Sequence, residues 1–207
     1  MQKTFSPSTN NQNTGQNELA NYWQTRWEKH QTGWDIGYPS PAITNYLDTI
    51  ENKDIAILIP GCGNAYEAEY LFRKGFSNVT LIDIAPAVTS MLKDKFLYDP
   101  QIKVLNEDFF QHQGEYDLIL EQTFFCAIQP ELRKKYVEKT HQLLNENGKI
   151  VGLLFNRTFE VSPPYGGSRE KYMELFDSHF IIHTMEDCLN SIPPRKGTEL
   201  FIHMERK

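Results

Sequence analysis

Short apolar runs alternate with segments of helical spacing along the centre of the chain, and this alternation constrains the fold more than any other feature. Buried strands are predicted at residues 55–59, 79–82, 102–105, 116–120 and 149–155, with two more near Phe180 and Leu200. Helices are predicted at residues 66–74, 86–96, 130–144 and 170–176. This alternation is typical of an α/β fold with a doubly wound, mostly parallel seven-stranded sheet, covered by helices on both faces.

The chain divides into a polar N-terminal stretch and one folding unit. A length of 207 residues suits a single domain with one buried core. Residues 1–17 are rich in Asn, Gln, Ser and Thr, and they bury too little apolar surface to offset the entropy lost on ordering. We expect a flexible tail over 1–17 and a single domain over 18–207, which opens with a short amphipathic helix from Glu18.

Composition narrows the compartment and the partners. Lys and Arg total 21 against 27 Asp and Glu, a net charge of −6 without a basic run, which disfavours a nucleic-acid partner. No apolar run reaches the ~20 residues that cross a bilayer, and the N-terminus lacks the pattern of a signal peptide. The three cysteines lack Cys-x-x-Cys spacing, so neither a disulfide framework nor a metal site is indicated. We expect a cytoplasmic monomer with a small-molecule partner and no membrane partner.

The residues that follow the predicted strands form a consistent set of ligand-binding groups. In open α/β sheets, ligands bind beyond the carboxyl ends of the strands. Gly61 and Gly63 follow the first strand and leave backbone open to a close ligand, ahead of a helix N-terminus. Asp83 follows the second strand, 22 residues beyond Gly61, where a carboxylate can accept hydrogen bonds from both hydroxyls of a ribose.

Two further strand ends extend this set toward an adenine ring and a reacting group. Asp108 and Phe109 follow the third strand and offer a carboxylate for an adenine amine and an aromatic face for its ring. Gln122 follows the fourth strand. A nicotinamide dinucleotide site needs a third glycine where Tyr66 stands, so a pyrophosphate is disfavoured. S-adenosylmethionine contains adenine and ribose without phosphate, and it matches the short glycine turn followed by Asp83.

Six segments between Glu18 and the C-terminus form a specific combination. They are residues 23–34 (WQTRWEKHQTGW), 59–63 (IPGCG), 83–84 (DI), 108–110 (DFF), 122–133 (QTFFCAIQPELR) and 192–197 (IPPRKG). Together they resemble the thiopurine methyltransferase superfamily, and most closely its plant and microbial branch of thiol and halide methyltransferases. The resemblance implies a class I S-adenosylmethionine-dependent methyltransferase with a Rossmann-like sheet and an N-terminal helical lid.

The resemblance also implies which residues contact the cofactor. They are Trp23, Trp27, Trp34, Gly61, Asp83, Asp108, Phe109 and Gln122. The chain departs from the branch in two places. Gly166 and Gly167 follow a Pro-Pro-Tyr run where the branch has its glycines first, and Gln122 stands where relatives often have Tyr or Arg.

Ordinary structural roles are open for several of these residues. Trp23 and Trp27 lie one helical turn apart and would equally anchor a first helix to the core. Asp83 and Asp108 also suit a helix cap and a turn. Two other functions are open as well: a nucleotide-dependent oxidoreductase of similar fold, and a non-catalytic S-adenosylmethionine-binding protein.

The acceptor is expected to be a small soft nucleophile, a thiol or bisulfide first and a halide or thiocyanate second. The branch resemblance supports this, with O- and N-acceptors as the alternative. A hydroxyl acceptor needs a base, and the predicted strand ends show no histidine paired with a carboxylate. His112, His141 and His179 fall in segments predicted as loop or solvated helix.

Four residues are candidates for the acceptor side of the site. Tyr165 is the leading catalytic candidate, although packing against the two preceding prolines explains it equally well. His30, Arg157 and Arg195 suit either contact with the acceptor or exposure to solvent.

Overall fold

The computed structural model describes the backbone from Gln12 to Lys207 and the side chains from Glu18 onward. The strands are β1 (Ile57–Pro60), β2 (Val79–Asp83), β3 (Ile102–Asn106), β4 (Tyr116–Gln122), β5 (Leu144–Phe155), β6 (Phe180–Asp187) and β7 (Glu199–Arg206). The α-helices are α1 (Gln12–Glu28), α2 (Pro41–Leu47), α3 (Tyr66–Arg73), α4 (Pro86–Lys95), α5 (Arg133–Leu143) and α6 (Arg169–Phe176). Single 3₁₀ turns occupy Phe125–Ala127, Pro130–Leu132 and Pro193–Arg195.

The strands form one seven-stranded sheet in the order β3-β2-β1-β4-β5-β7-β6. Strands β1 to β5 run parallel, and β7 is antiparallel to both β5 and β6. The chain winds outward from β1 to β3, then returns to place β4 on the other side of β1. A crevice therefore opens between β1 and β4 at the carboxyl ends of the strands. This topology confirms the predicted doubly wound, mostly parallel sheet.

Two apolar cores cover the two faces of the sheet. Successive β1 residues point to opposite faces, so Ile57 packs in one core and Leu58 in the other. The first core includes residues of α2, α3 and α4. The second includes Tyr136 of α5 and Phe176 of α6, both fully buried. Because both faces are buried, the parallel strands read as continuous apolar runs, which is why they were predictable from the sequence.

Three elements differ from the sequence prediction. Helix α2 was not predicted, because its seven residues are too few to show a helical period. Strand β5 begins at Leu144 rather than Lys149, and the predicted Asn147-Gly148 turn lies inside it, where the pairing with β4 shifts register. The predicted helix at 130–144 is a 3₁₀ turn followed by α5.

The N-terminal part of the prediction is covered only in part. Residues 1–11 lie outside the described residues, and α1 begins at Gln12, six residues before Glu18. The flexible tail over 1–17 and the single domain over 18–207 stay predictions. Within the described part of the chain, no helix is both long and apolar enough to cross a membrane.

We predict that Gly152→Ala destabilises the fold. Gly152 of β5 pairs with Glu121 of β4, and a Cβ at Gly152 would overlap the Glu121 carbonyl oxygen, a backbone atom that cannot turn away. Overpacking of this kind costs ~1–3 kcal/mol or more, so for a chain of this length the midpoint of thermal unfolding should fall by roughly 2–12 °C or more. Gly33→Ala is the control, because nothing lies within 4 Å of a Cβ there. Equal melting temperatures for the two variants would contradict the prediction.

Candidate functional site

A cavity of about 780 Å³ opens at the carboxyl ends of β1 to β5, in the crevice that the topology predicts. Helix α1 and the loop that carries Trp34 cover it. Its wall includes seven of the eight predicted cofactor contacts: Trp23, Trp27, Trp34, Gly61, Asp83, Asp108 and Phe109. The structure therefore brings seven of the eight into one cavity.

The loop after β1 is held in a left-handed conformation. Gly61 has φ of 57° and Gly63 has φ of 51°, a region that favours glycine. A Cβ at Gly61 would overlap the ring of Phe124, whereas the nearest atom to a Cβ at Gly63 is Cζ3 of Trp27 at 4.0 Å. Both glycines are predicted from the sequence to allow the close approach of a ligand. The geometry adds a second reason at Gly61, which is the close packing of the β4 loop.

Asp83, at the end of β2, has a buried carboxylate with acceptor capacity to spare. Its Oδ1 accepts a hydrogen bond from the Ala85 amide at 2.9 Å, and its Oδ2 accepts one from the Gly63 amide at 3.3 Å. An ionised carboxylate has about four lone-pair sites, so each oxygen can accept one more hydrogen bond. Burial raises the pKa of Asp83 to about 6, although the backbone amides of Ala85, Gly63 and Ile84 partly oppose this.

Beyond β3, aromatic and acidic groups lie side by side. Phe109 is 3% exposed and packs edge-on against Phe124, with ring centroids 5.2 Å apart. Asp108 caps its own turn, because its Oδ1 accepts a hydrogen bond from the Phe110 amide at 2.9 Å. Turn-forming and ligand-binding roles are thus compatible at Asp108.

His112 corrects one expectation from the sequence. Its ring is 3% exposed, and Nδ1 lies 2.6 Å from Oε2 of Glu107, which lines the cavity. Its Nε2 lies 2.7 Å from the hydroxyl of Tyr116. A histidine paired with a carboxylate therefore exists after β3, contrary to the sequence analysis. Because both ring nitrogens are engaged and His112 does not line the cavity, the pair orients Glu107 and is not placed to deprotonate an acceptor.

The loop after β4 is held by hydrogen bonds to the carboxylate of Glu121, which is fully buried. Its Oε1 accepts hydrogen bonds from the amides of Phe124 and Phe125 at 2.9 and 2.8 Å, and its Oε2 accepts one from the Tyr136 hydroxyl at 2.7 Å. Burial raises the pKa of Glu121 to about 7. Sequence analysis missed this role, because a glutamate at the end of a strand shows no pattern that separates it from a surface residue.

Gln122 differs from the other predicted contacts. It lines a smaller neighbouring cavity of about 60 Å³, between the Trp34 loop and the glycine loop. Its Oε1 is buried and has no hydrogen-bond partner among the described residues. An unpaired buried acceptor of this kind suits a ligand that donates a hydrogen bond.

The covering segment is held to the rest of the fold at three points. The Gln24 amide oxygen in α1 accepts a hydrogen bond from the Ala87 amide at 2.9 Å, at the start of α4. The Trp34 carbonyl accepts one from Nη2 of Arg195 at 2.7 Å, and Asp35 accepts hydrogen bonds from the side chains of Asn64 and Tyr66. Trp23 and Trp34 meet edge to face, with ring centroids 5.5 Å apart.

Tyr165 contributes backbone rather than its ring to the site. Its amide donates to the Cys126 carbonyl at 2.6 Å, and its carbonyl accepts from Nη2 of Arg133 at 2.9 Å. The cavity wall there is formed by Pro163 and Pro164, and the ring of Tyr165 is not part of it. Burial, with a smaller effect of Glu131, raises the pKa of the Tyr165 hydroxyl. A catalytic role for Tyr165 stays a prediction.

Two cysteines and two acceptor-side candidates line the two cavities. Burial raises the pKa of the Cys126 thiol to about 12, and it raises that of Cys62 well above its usual range, so both behave as apolar fillers. Arg157 and Arg195 line the cavity, whereas exposed His30 lies outside it. The described residues contain no cluster of three potential metal ligands.

Comparison with known proteins decides the family. The family model for thiopurine S-methyltransferase matches residues 19–204. The chain belongs to the thiopurine S-methyltransferase family. The probable thiol methyltransferase 2 of Arabidopsis thaliana is 31% identical over 184 residues, which are 86% of this chain and 81% of that protein. Thiocyanate methyltransferase 1 of the same plant is 29% identical with the same coverage.

A bacterial member and a solved structure extend the comparison. The thiopurine S-methyltransferase of Photobacterium profundum is 22% identical over 199 residues, covering 87% of this chain and 93% of that protein. The crystal structure of Burkholderia thailandensis 1,6-didemethyltoxoflavin-N1-methyltransferase with S-adenosylhomocysteine has a TM-score of 0.75 at 16% identity, covering 99% of this chain and 93% of that one. This protein is therefore an S-adenosylmethionine-dependent methyltransferase of the thiopurine S-methyltransferase family.

The cavity of this thiopurine S-methyltransferase family member fits its cofactor. Asp83 keeps two acceptor positions for a ribose diol, and Phe109 with the tryptophans supplies aromatic surface for a flat base. The buried, unpaired Oε1 of Gln122 suits a donor group at the glycine-loop end.

We predict that the affinity for S-adenosylhomocysteine decreases as the pH is lowered from 7 to 5, because Asp83 becomes protonated. If the ionised carboxylate holds the ribose, a pKa of about 6 leaves about tenfold less of the binding form at pH 5 than at pH 7. The dissociation constant of S-adenosylhomocysteine, measured by calorimetry, should rise about tenfold over that interval. Asp83→Asn should bind more weakly and show a flat profile. The same slope in Asp83→Asn would remove Asp83 from the site.

We predict that residues 23–34 are a lid that becomes more protected when cofactor binds. The segment is aromatic, lies over the cavity and is held by a few hydrogen bonds at its ends, so ligand contacts should add to its stability. Amide hydrogen exchange in 23–34 should slow on addition of S-adenosylhomocysteine. Protection confined to the glycine loop and Asp83 would rule out the lid.

Proposed function

We propose that this methyltransferase acts on a small soft nucleophile, a thiol or bisulfide first and a halide or thiocyanate second. The composition of the cavity beyond β4 and β5 is the observation that supports this most directly. Among the described residues, that part of the wall is lined by apolar side chains, by cations and by the neutral polar side chains of Thr123, Gln129 and Thr198, and no histidine or carboxylate lines it. A hydroxyl acceptor needs such a base. A thiol with a pKa near ~8.5 already supplies some thiolate at neutral pH, and a halide needs no deprotonation.

The comparisons support the same class of acceptor. The two plant relatives described above are named for thiol and thiocyanate methylation, and the bacterial relatives for thiopurine S-methylation. All three names specify a soft acceptor, sulfur-containing in each case. We therefore place O- and N-acceptors second. The monomeric state and the cytoplasmic location expected from the sequence stay predictions.

The cofactor contacts that we propose follow the position of each residue in the cavity. Asp83 accepts the ribose hydroxyls, Asp108 and Phe109 receive the adenine, and the glycine loop leaves room for the amino-acid end beside Gln122. The three tryptophans of the lid exclude water from above. When bound, S-adenosylmethionine would supply a sulfonium methyl group: the acceptor would bond to the methyl carbon in line as the bond from that carbon to sulfur breaks, and S-adenosylhomocysteine would be the leaving group.

The chain's own contribution is mainly positioning and electrostatics. Holding the reacting atoms ~3–3.5 Å apart and in line supplies ~7–11 kcal/mol of the barrier reduction in favourable cases. Arg195 lines the acceptor end, where its charge lowers the pKa of a bound thiol and favours the thiolate. The apolar wall removes water from that anion, so the positive charge acts at low effective dielectric constant.

We predict that the pH dependence of the rate follows the acceptor rather than the protein. Thiol methylation should rise with pH until the acceptor's own pKa, near ~8.5, is passed, because the enzyme offers no base. Iodide methylation in the same preparation should stay nearly flat. The measurement is a pair of kcat/KM profiles between pH 7 and pH 10, above the titration of Asp83.

Three outcomes would lead to other functions. Phenols or amines that outperform every thiol and halide would show a different acceptor within the same reaction. Tight binding of S-adenosylmethionine without methylation of any acceptor would favour a non-catalytic binding protein. A thiol profile with an inflection that is independent of the acceptor's pKa would reveal a protein base.

A further inference from the structure

Arg157 is a cation on the cavity wall that has no anionic partner among the described residues. It follows β5, lines the acceptor end of the cavity, and is exposed at its mouth. Its Nε donates only to the neighbouring Thr158 carbonyl, at 3.2 Å. Among the described residues, neither Nη group of Arg157 has a hydrogen-bond or ion-pair partner.

Arg195, which also lines this end of the cavity, has a protein partner for each of its Nη groups. Its Nη1 lies 3.4 Å from Oε1 of Glu199, and its Nη2 donates to the Trp34 carbonyl. Its guanidinium carbon also lies 5.5 Å from the centroid of Phe155. Arg195 therefore serves the lid and the sheet, whereas both Nη groups of Arg157 are open to a ligand. A third arginine of the wall, Arg26 of α1, donates its Nε to the Tyr22 hydroxyl at 2.8 Å, and its guanidinium lies over the Tyr22 ring.

The position of Arg157 is built rather than incidental. The Gly167 amide donates to the Arg157 carbonyl at 3.0 Å, and a Cβ at Gly166 would overlap that same oxygen. The Arg133 side chain in turn holds the carbonyl of Gly166 at 2.9 Å. The Gly-Gly pair that departs from the thiol and halide branch is thus the element that fixes the backbone of Arg157.

The Arg157 guanidinium is also restrained, by contact with an aromatic ring. Its central carbon lies 4.8 Å from the centroid of the Phe159 ring, which lines the cavity too. A stacked guanidinium loses less side-chain entropy on binding a carboxylate than a free one does, and its planar fork suits two parallel hydrogen bonds. Arginine placed in this way recognises planar oxyanions.

We infer that Arg157 selects acceptors that carry an acidic group remote from the nucleophilic sulfur, which makes the preferred substrates mercapto-carboxylates and similar acidic thiols. The inference rests on the proposed thiol methylation and narrows it. The apolar wall formed by Phe159, Pro163 and Pro164 contacts the body of such an acceptor, an extent of surface that bisulfide or a halide cannot cover. The acidic cavity residues Asp83, Glu107 and Asp108 follow β2 and β3, so they do not repel an anion at this end.

The test compares two thiols of the same shape, 4-mercaptobenzoate and 4-mercaptobenzamide, at pH 9, where both thiols are ionised. The wild-type protein should favour the benzoate by about fivefold in kcat/KM, the size expected for one partly exposed ion pair. Arg157→Ala should bring the ratio close to one, and Arg157→Glu should reverse it. Added salt should reduce the wild-type ratio and leave that of Arg157→Ala unchanged.

Arg169→Ala is the matched control. Arg169 is an arginine of α6 that pairs with Glu186 and Asp187 at the surface and does not line the cavity. It should keep the wild-type ratio, and melting temperatures confirm that each variant is folded. A wild-type ratio near one, or an unchanged ratio in Arg157→Ala, overturns the inference. If both thiols are methylated but the ratio overturns the inference about Arg157, the proposed thiol methylation still stands. If neither thiol is methylated, the proposed function itself is refuted.

Discussion

The buried carboxylate of Glu121 is the interaction on which the geometry of the cavity depends. It receives two amides of the β4 loop and the hydroxyl of Tyr136, so it fixes that loop to α5. Phe124 in this loop then packs against Gly61 and Phe109, which belong to the loops after β1 and β3. Removing a carboxylate from water is costly, as its pKa of about 7 shows, and three donors offset the cost only while the loop keeps this shape.

Asp83 is a second desolvated carboxylate of the site, and its role differs from that of Glu121. Its carboxylate is also desolvated, but its donors are the backbone amides of Ala85, Gly63 and Ile84, and it lines the cavity, where a ligand can reach it. Glu121 organises the β4 loop, whereas Asp83 is placed to accept a further hydrogen bond from a ligand.

Arginines join the segments that close the site, mostly through backbone carbonyls. Arg133 holds the carbonyls of Tyr165 and Gly166, and Arg195 holds that of Trp34. Carbonyl recognition depends little on the side chains of the loop, so the arginines hold the paths of these loops through the backbone. The position of Arg157 depends on this arrangement, since the Gly166 and Gly167 turn supports it.

Sequence alone determined the sheet, its helices and the glycine turn, because buried parallel strands and amphipathic helices have periods that are visible locally. The combination of short motifs indicated the family. The strand order placed Asp83 and Phe109 at one cavity, since the carboxyl ends of parallel strands meet there, whereas the lid tryptophans were placed there by the family resemblance. Tertiary structure alone decided that His112 pairs with Glu107, that the ring of Tyr165 leaves the wall to its neighbouring prolines, and that Arg157 rather than Arg195 has free donors. The Tyr165 and Arg195 outcomes depend on hydrogen bonds between segments far apart in sequence, and all of these outcomes depend on loop conformations that no local pattern encodes.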